Sequence, residues 1–278
     1  KVSAASGHGL VPGPGPEVLA AAITAAHRLG LGVSLRPWVE IDNRLGEGKL
    51  WRGRLKLGGP QREAFFASYS DYLSPLADIA RRHGADRFYI GSEMAGLTAD
   101  NEATELWQRL IERCRTSLGS ANCRLSYAAN FSEYTHVRFW DALDEIGVDA
   151  YFPLATREES SGPGNPPVEL LSRGWDRALD RLCAFAEARA RPLYLTEWGA
   201  VPFDGTSAEP SAAEPSSIAD PDEAVHVYRA TLAAFARKAD RLAGSDFWHL
   251  AVDPNEDSNY RVTPGSPLAT LLREHLAT

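Results

Sequence analysis

The sequence predicts an α/β fold, a (β/α)8 barrel, on three observations. Short apolar runs of strand character alternate with amphipathic helices along most of the chain, which is typical of a parallel sheet with right-handed crossovers. The length of 278 residues suits one barrel domain. Polar and aromatic residues follow the ends of several strands, whereas an open doubly wound sheet, the structural alternative, gathers such residues at one switch point.

Six strands are predicted from short apolar runs that end at glycine or at polar residues. A helical segment separates each strand from the next, so neighbouring strands are expected to run parallel. In chain order, the predicted strands cover residues 32–38, 87–92, 124–130, 146–152, 192–197 and 246–250.

The helices are predicted from apolar residues at helical spacing. In the second helix, for example, the spaced residues are Phe65, Phe66, Tyr69, Leu73, Leu76 and Ile79. A closing helix follows a cap at Ser266 and has Pro267 at its first position. The preceding helices cover residues 16–29, 61–82, a segment capped near Thr98 or Asp100 that runs to Leu118, 135–143, 168–188 and 221–241.

An eight-stranded barrel needs two further strands, and both would have to precede Pro16. Only residues 1–6 have strand character there, followed by a loop rich in glycine and proline. We therefore expect a single domain over residues 1–278 that lacks part of its N-terminal strands, with residues 1–16 as their remnant. Residues 203–222, rich in alanine, serine, proline and acidic residues, are expected to be a flexible insertion, with a substrate lid as the alternative.

Composition excludes several classes of partner. The net charge of −8 argues against a nucleic-acid partner, because no basic stripe is present, and no apolar run approaches the roughly 18–20 residues that span a bilayer. No signal peptide is visible, and secreted and cytoplasmic locations both stay open. We expect a monomer. The cysteines show no metal-ligand spacing and are expected to be free thiols, although Cys114 and Cys123 can pair if the protein is exported.

Glu93 and Glu197 are the candidate catalytic residues, because each lies at the end of an apolar run of strand character. The C-terminal ends of barrel strands form the active-site face. Counted backward from the last strand, Glu93 falls on the fourth and Glu197 on the seventh strand of an eight-stranded barrel, so the two strands face one another. Such a pair of acids can cleave a glycosidic bond. The alternative is that both acids lie at helix N-termini, where a negative charge interacts favourably with the helix dipole.

Several short motifs resemble family 113 of the glycoside hydrolases in their order and spacing. The resemblance covers roughly residues 16–250 and implies a clan A retaining enzyme on a (β/α)8 barrel, mainly an endo-β-1,4-mannanase. Residues 1–278 would then be one catalytic domain of an O-glycosyl hydrolase. The motifs are Leu35-Arg-Pro37, Trp51-Arg-Gly53, Tyr127-Ala-Ala-Asn130, Val137-Arg-Phe-Trp-Asp141, Ile146-Gly-Val-Asp-Ala-Tyr-Phe-Pro-Leu154 and Thr196-Glu-Trp-Gly199.

By position, the resemblance implies that Glu93 is the general acid/base and Glu197 the nucleophile. In clan A, an asparagine that holds the substrate 2-hydroxyl usually precedes the acid/base. Ser92 occupies that place here, and family 113 tolerates a small hydroxyl residue there. This departure is compatible with mannose, whose 2-hydroxyl is axial.

Eight further residues are candidates for substrate binding. Tryptophans at strand ends can stack on sugar rings; any one of them alone is better explained as core, whereas three at strand ends favour at least one platform. Tyr151 can donate a hydrogen bond to Glu197 or be a core residue, and Asn130 can bind a sugar hydroxyl, orient a glutamate or form a turn. Arg36 can pair with a carboxylate or hydroxyl at the site or form a structural salt bridge. The full set is Arg36, Trp38, Trp51, Arg52, Asn130, Tyr151, Trp198 and Trp248.

Three alternatives to a mannanase stay open. The same residues can cleave another β-linked glycan, or the chain can be a carbohydrate-binding barrel without activity. A metal-dependent isomerase or lyase would use His249 with Glu93 and Glu197, and Asp149 faces the same side as Tyr151, but no dense ligand cluster is apparent. We therefore predict no metal and no cofactor, and a β-linked oligosaccharide or polysaccharide as the partner.

Overall fold

In the computed structural model, the described residues are 2–3, 9–10, 15–41, 51–161, 164–250 and 258–276. The chain divides into two compact units, Lys1–Gly147 and Val148–Thr278. No helix in these described ranges combines the length and the apolar character that a bilayer crossing requires. Cys114, Cys123 and Cys183 are free, buried thiols, as expected.

The first unit holds a parallel sheet whose strands follow one another in chain order. β1 and β2 form a separate antiparallel pair, whereas β3 is parallel to β4 and β4 is parallel to β5. β4 and β5 are buried over nearly their whole length, so their sequences are largely apolar rather than alternating. The strands are β1 (Val2–Ser3), β2 (Gly9–Leu10), β3 (Ser34–Leu35), β4 (Arg87–Ser92) and β5 (Arg124–Asn130).

Helices of the first unit pack on one another around aromatic residues. α2 ends at Gly84, whose φ of 76° is left-handed and suits glycine. Trp107 of α4 contacts Phe66 of α2, with ring centroids 5.0 Å apart, and stacks on Phe139 at 4.9 Å. The helices are α1 (Pro16–Arg28), α2 (Gly59–His83), α3 (Ala95–Thr98) and α4 (Thr104–Leu118), with 3₁₀ turns at Arg52–Arg54, Asn101–Ala103 and Trp140–Ala142.

The second unit begins within strand β6 and repeats the alternation of strands and helices. β7 and β8 are parallel, with Tyr194 opposite Gly244. Trp175 of α6 donates to the Thr231 hydroxyl of α7 at 2.7 Å. The elements are β6 (Ile146–Asp149), α5 (Arg157–Ser160), α6 (Val168–Glu187), β7 (Leu193–Glu197), α7 (Pro221–Arg237), a 3₁₀ turn at Ala239–Arg241, β8 (Gly244–Ser245) and α8 (Pro267–Leu276).

Three strand predictions need correction. The strand predicted at 32–38 is limited to Ser34–Leu35, because Pro37 has no N–H for a ladder. The strand predicted at 146–152 ends at Asp149. The strand predicted at 246–250 lies at Gly244–Ser245, although Asp246 and Trp248 still donate backbone hydrogen bonds to the Leu195 and Trp198 carbonyls at 2.9 and 2.7 Å. Backbone hydrogen bonding between this segment and the β7 segment therefore continues beyond the regular part of β8.

The helix predicted at 135–143 is wrong, since only Trp140–Ala142 forms a 3₁₀ turn. The preceding residues form turns instead, and the Trp140 indole donates to the Tyr134 carbonyl at 2.9 Å. The flexibility expected of residues 203–222 stays a prediction. Within that insertion, the backbone N–H groups of Gly205 and Ser207 donate to the buried Glu223 carboxylate at 2.8 and 2.9 Å, which anchors its first part.

Candidate active site

Glu93 directly follows β4 and has an unusual backbone. Its φ of 50° lies in the left-handed region, which residues other than glycine rarely adopt and which concentrates at functional sites. Its backbone N–H donates to the Ala128 carbonyl of β5 at 2.8 Å, so the bend is tied to the neighbouring strand. This conformation turns the chain away from the strand direction at the candidate acid/base.

Three side chains donate hydrogen bonds to the Glu93 carboxylate. Asn130 Nδ2 donates to Oε1 at 2.7 Å, whereas Arg52 Nη2 donates to Oε2 at 2.8 Å. Trp51 Nε1 also approaches Oε2, at 3.2 Å. Because the donors address different oxygens, they fix the plane of the carboxyl group. Four predicted site residues, Glu93, Asn130, Arg52 and Trp51, therefore come together around one carboxylate.

Arg52 is a buried cation that connects several predicted site residues. Its side chain is 6% exposed, and its Nε donates to the Ser92 carbonyl at 2.9 Å. The guanidinium carbon lies 3.8 Å from the Trp38 ring centroid, a cation–π contact, and Nη1 lies 3.5 Å from Glu40. An arginine with this many partners is held rigidly and holds Glu93 in turn.

Arg36 and Ser92 are placed in the same cluster. Arg36 Nη2 donates to the Ser92 hydroxyl at 2.5 Å, and Arg52 Nη2 lies 3.4 Å from the same oxygen. Arg36 also lies 5.2 Å from the Trp38 ring centroid. Ser92, which directly precedes Glu93, is therefore oriented by two arginines, and Arg36 meets a hydroxyl, one of its two predicted partners at the site.

The orientation of the Asn130 amide follows from its neighbours. Its Oδ1 accepts from the Ser132 backbone N–H at 3.0 Å and from the Ser132 hydroxyl at 2.7 Å, so Nδ2 is directed toward Glu93. The Asn130 carbonyl also accepts from the Glu133 N–H at 2.8 Å. Asn130 thus combines two of the three roles left open by the sequence, as a glutamate-orienting residue and as a turn residue.

A groove lies beside this cluster in the first unit. It has a volume of about 640 Å³ and is formed by the loop after Arg52 and by the segment after Glu93. Most of its lining is small, and Gly96 is required there, because a Cβ would lie 2.3 Å from the Leu55 carbonyl oxygen. The lining residues are Gly53, Lys56, Leu57, Gly58, Ala95, Gly96, Ala99 and Asp100.

In the second unit, Glu197 ends β7 and is 6% exposed. The Tyr151 hydroxyl donates to its Oε2 at 2.9 Å. The Glu197 carbonyl accepts from the Ala150 N–H at 2.6 Å, which ties the segment after β6 to the end of β7. Burial, and next the charge of Glu197, raise the pKa of Tyr151 well above its ordinary range, so the phenol stays a proton donor.

Aromatic residues around Glu197 differ in their accessibility. Trp198 is 3% exposed and packs against Tyr228, Phe235 and Phe247. Its indole is covered by these side chains, so Trp198 acts as a core residue rather than as a stacking platform for sugar. Trp248 is half-buried and stays a candidate platform.

The sequence did not single out Tyr260 or Glu133. Tyr260 contacts Tyr151 edge to face at 5.8 Å and donates to the Pro210 carbonyl at 2.6 Å, which links the insertion to the Glu197 cluster. Glu133 accepts from the Asn130 N–H at 3.0 Å. The Asn130-x-x-Glu133 spacing is the signal for Glu133, because it resembles a capping box, whereas Tyr260 has no local signal.

One carboxylate cluster in the described ranges brings ligand atoms within 4.8 Å of one another: Asp204, Asp220 and Glu223. The Glu223 carboxylate accepts from the Ser160 hydroxyl at 2.7 Å as well as from the insertion. Asp220 caps α7 and accepts from the Glu223 N–H at 3.0 Å. Two of the three carboxylates, those of Glu223 and Asp220, therefore already accept hydrogen bonds from protein donors.

Replacing Tyr151 by Phe is expected to lower kcat by roughly 10- to 100-fold. The change removes one hydrogen bond to a charged group, which contributes about 1.5–3 kcal/mol. Steady-state hydrolysis of a β-linked glycan measures the effect. Tyr228→Phe is the matched control, since Tyr228 is fully buried and its hydroxyl has no hydrogen-bond partner among the described residues. Equal kcat values for the two variants would contradict the role of Tyr151.

Comparisons with known proteins show which family and which solved structures this chain resembles. The family model described as Glycoside Hydrolase Family 113 matches residues 14–260. The structure of GH113 β-mannanase AaManA from Alicyclobacillus acidocaldarius, in complex with ManMIm, is 27% identical, with a TM-score of 0.75 over 97% of this chain and 80% of that chain. A second GH113 β-1,4-mannanase structure is 22% identical, with a TM-score of 0.74 over 95% of this chain and 79% of that chain.

More distant structures share the fold alone. The β-D-glucuronidase of Dictyoglomus thermophilum is 16% identical, with a TM-score of 0.62 over 92% of this chain and 42% of that chain. The comparison with curated proteins found no match. The predicted α/β fold, a (β/α)8 barrel, is confirmed by the family match and by the solved structures. Because the family model spans most of its length, this chain belongs to Glycoside Hydrolase Family 113 and is a glycoside hydrolase.

Proposed function

We propose that the protein is a retaining endo-β-1,4-mannanase, with Glu197 as nucleophile and Glu93 as general acid/base. The observation that carries the proposal is that each acid ends a strand and is held by its own set of donors: Tyr151 for Glu197, and Arg52 and Asn130 for Glu93. Such donors orient a carboxyl group before substrate binds. The 27% identical structure of a GH113 β-mannanase supports the choice of sugar.

The reaction proceeds in two displacements. Glu197 attacks the anomeric carbon and forms a glycosyl-enzyme, while Glu93 gives a proton to the glycosidic oxygen of the leaving sugar. Glu93 then takes a proton from water, which attacks the same carbon and releases Glu197. The configuration at the anomeric carbon is retained by the two inversions. This mechanism predicts carboxyl groups about 5–5.5 Å apart.

The groove beside Glu93 is the proposed place for the leaving part of the glycan. The acid must reach the oxygen between the two cleaved sugars, so the leaving sugar lies on the Glu93 side. Trp51 is 39% exposed next to this carboxylate and can stack on a pyranose ring. Trp38 contacts Arg52 and serves better to hold the arginine than to bind sugar.

Release of reducing sugar from a panel of polysaccharides tests the proposal. We expect turnover on β-1,4-mannan at least about tenfold above that on β-1,4-glucan and β-1,4-xylan, because transition-state contacts discriminate between sugars. Proton NMR of the first product should show the β-anomer. A preference for glucan or xylan would transfer the same mechanism to another β-linked glycan. Calorimetric binding of mannohexaose without any hydrolysis would instead favour a carbohydrate-binding barrel.

A further inference from the structure

Glu133 is a buried carboxylate in the first unit that has no role in the mechanism given above. It is 2% exposed, and its Oε1 accepts from the Thr98 hydroxyl at 2.6 Å and from the Tyr127 hydroxyl at 2.7 Å. Its Oε2 accepts from the Asn130 backbone N–H at 3.0 Å. Burial of a carboxylate is costly, so such a residue calls for an explanation beyond packing.

Two hydrogen-bonded paths lead from Glu133 to Glu93. One passes through Asn130, whose backbone is held by Glu133 and whose Nδ2 donates to Glu93 Oε1 at 2.7 Å. The other passes through the Tyr127 hydroxyl, which donates to Glu133 and accepts from the Met94 backbone N–H at 2.7 Å. The first path ends at the Glu93 carboxyl group, and the second ends at the peptide bond between Glu93 and Met94.

The two paths meet at the strained position. Because Glu93 has a φ of 50°, its conformation needs support from surrounding contacts. The hydrogen bond from Met94 N–H to Tyr127 fixes the peptide on the C-terminal side of Glu93, and the bond from Glu93 N–H to Ala128 fixes the other side. Because the Tyr127 hydroxyl donates its proton to Glu133, the lone pairs of the hydroxyl oxygen are directed toward the Met94 N–H.

We propose that Glu133 positions the general acid: Glu133 holds the Glu93 carboxyl group through Asn130 and the Glu93 backbone through Tyr127. The inference rests on the function proposed above, because it assigns Glu93 the acid role. An acid that is displaced by a fraction of an ångström transfers its proton less well. Burial raises the pKa of Glu133 to about 7 although its three donors lower it, and the charge of Glu93 adds to the rise.

Two substitutions separate the two paths. In Glu133→Gln, the side-chain oxygen can still accept from Tyr127 and Thr98, but the amide NH₂ then faces the Asn130 N–H, so the Asn130 path is broken. In Tyr127→Phe, the Asn130 path stays and the Met94 path is broken. Both variants keep the volume of the buried side chain, and either one tests the proposal if the other does not fold.

The measurement is kcat/KM for two aryl β-mannobiosides, one with a poor leaving group (phenol) and one with a good leaving group (2,4-dinitrophenol). Since kcat/KM reports the first bond cleavage, only the poor leaving group needs full protonation by Glu93. For each variant we expect a roughly tenfold loss with the phenyl substrate and less than about a twofold loss with the dinitrophenyl substrate.

Glu145→Gln is the matched control, because Glu145 is also fully buried in the first unit but pairs with Arg87 at 2.8 Å, at the start of β4 rather than at its end. Losses of equal size with both leaving groups, or no loss with either, would overturn the proposal. Absence of cleavage of either substrate by the unaltered protein would instead reject the proposed function.

Discussion

Replacing Glu197 by Gln is expected to lower kcat on mannan by roughly 10⁴-fold or more, because removal of a catalytic nucleophile leaves only binding and the remaining groups. An amide has nearly the shape of the carboxylate and can still accept the Tyr151 hydrogen bond. The fold should therefore be kept, and the loss should fall on kcat rather than on KM. Initial rates of reducing-sugar release, together with a thermal melt, measure both effects.

The control for this substitution is Glu169→Gln, which changes an exposed glutamate at the start of α6. A covalent probe provides independent evidence. A 2-deoxy-2-fluoro-β-mannosyl fluoride should form a stable glycosyl-enzyme, and mass spectrometry of the digest should place the added mass on the peptide that contains Glu197. Near-normal activity of Glu197→Gln, or label on another carboxylate, would reject its assignment as nucleophile.

Replacing Glu93 by Ala is expected to lower kcat/KM on mannan by about 10²- to 10⁴-fold, the usual contribution of general acid–base catalysis. With a dinitrophenyl glycoside, the first step should remain fast and the glycosyl-enzyme should accumulate, since no base then activates water. Added azide, which needs no base, should increase kcat and yield a β-glycosyl azide. Proton NMR identifies this product and its configuration.

Glu105→Ala is the matched control, as Glu105 is exposed in the first turn of α4. If azide neither raises kcat nor appears in the product, Glu93 is not the acid/base. Azide rescue of Glu197→Ala that yields the α-glycosyl azide would support Glu197 as the nucleophile, because azide then enters from the face that the missing carboxylate occupied.

Much of the fold was predictable because strand and helix patterns in this chain are strong. The strands at 87–92 and 124–130 were predicted with the observed bounds, since both are buried apolar runs. Residues 32–38 and 246–250 were less predictable, because their hydrogen bonding is irregular and depends on neighbours distant in sequence. Local propensity also favoured a helix at 135–143, where the Trp140 indole instead donates to the Tyr134 carbonyl and packs against the Tyr127 ring.

The site was predictable only as a set of residues at strand ends. Sequence position indicated Glu93, Glu197, Asn130 and Tyr151, but the hydrogen bonds that give these residues their orientation join segments far apart in the chain. The sequence predicts Arg52 as a substrate-binding residue, whereas the structure places it as a buried support of Glu93. A single sequence does not distinguish an exposed aromatic from a buried one, so it predicts Trp198 as a sugar-stacking residue although the indole is buried.

The left-handed backbone at Glu93 has a consequence for engineering this enzyme. A search for more stable variants that ranks residues by backbone preference would favour glycine or asparagine at this position, because both tolerate a φ of 50° better than glutamate. Such a variant would relieve the backbone strain, but it would leave the buried Arg52 without the Glu93 carboxylate and would remove the proposed general acid. At this position, backbone preference and catalytic turnover therefore favour different residues.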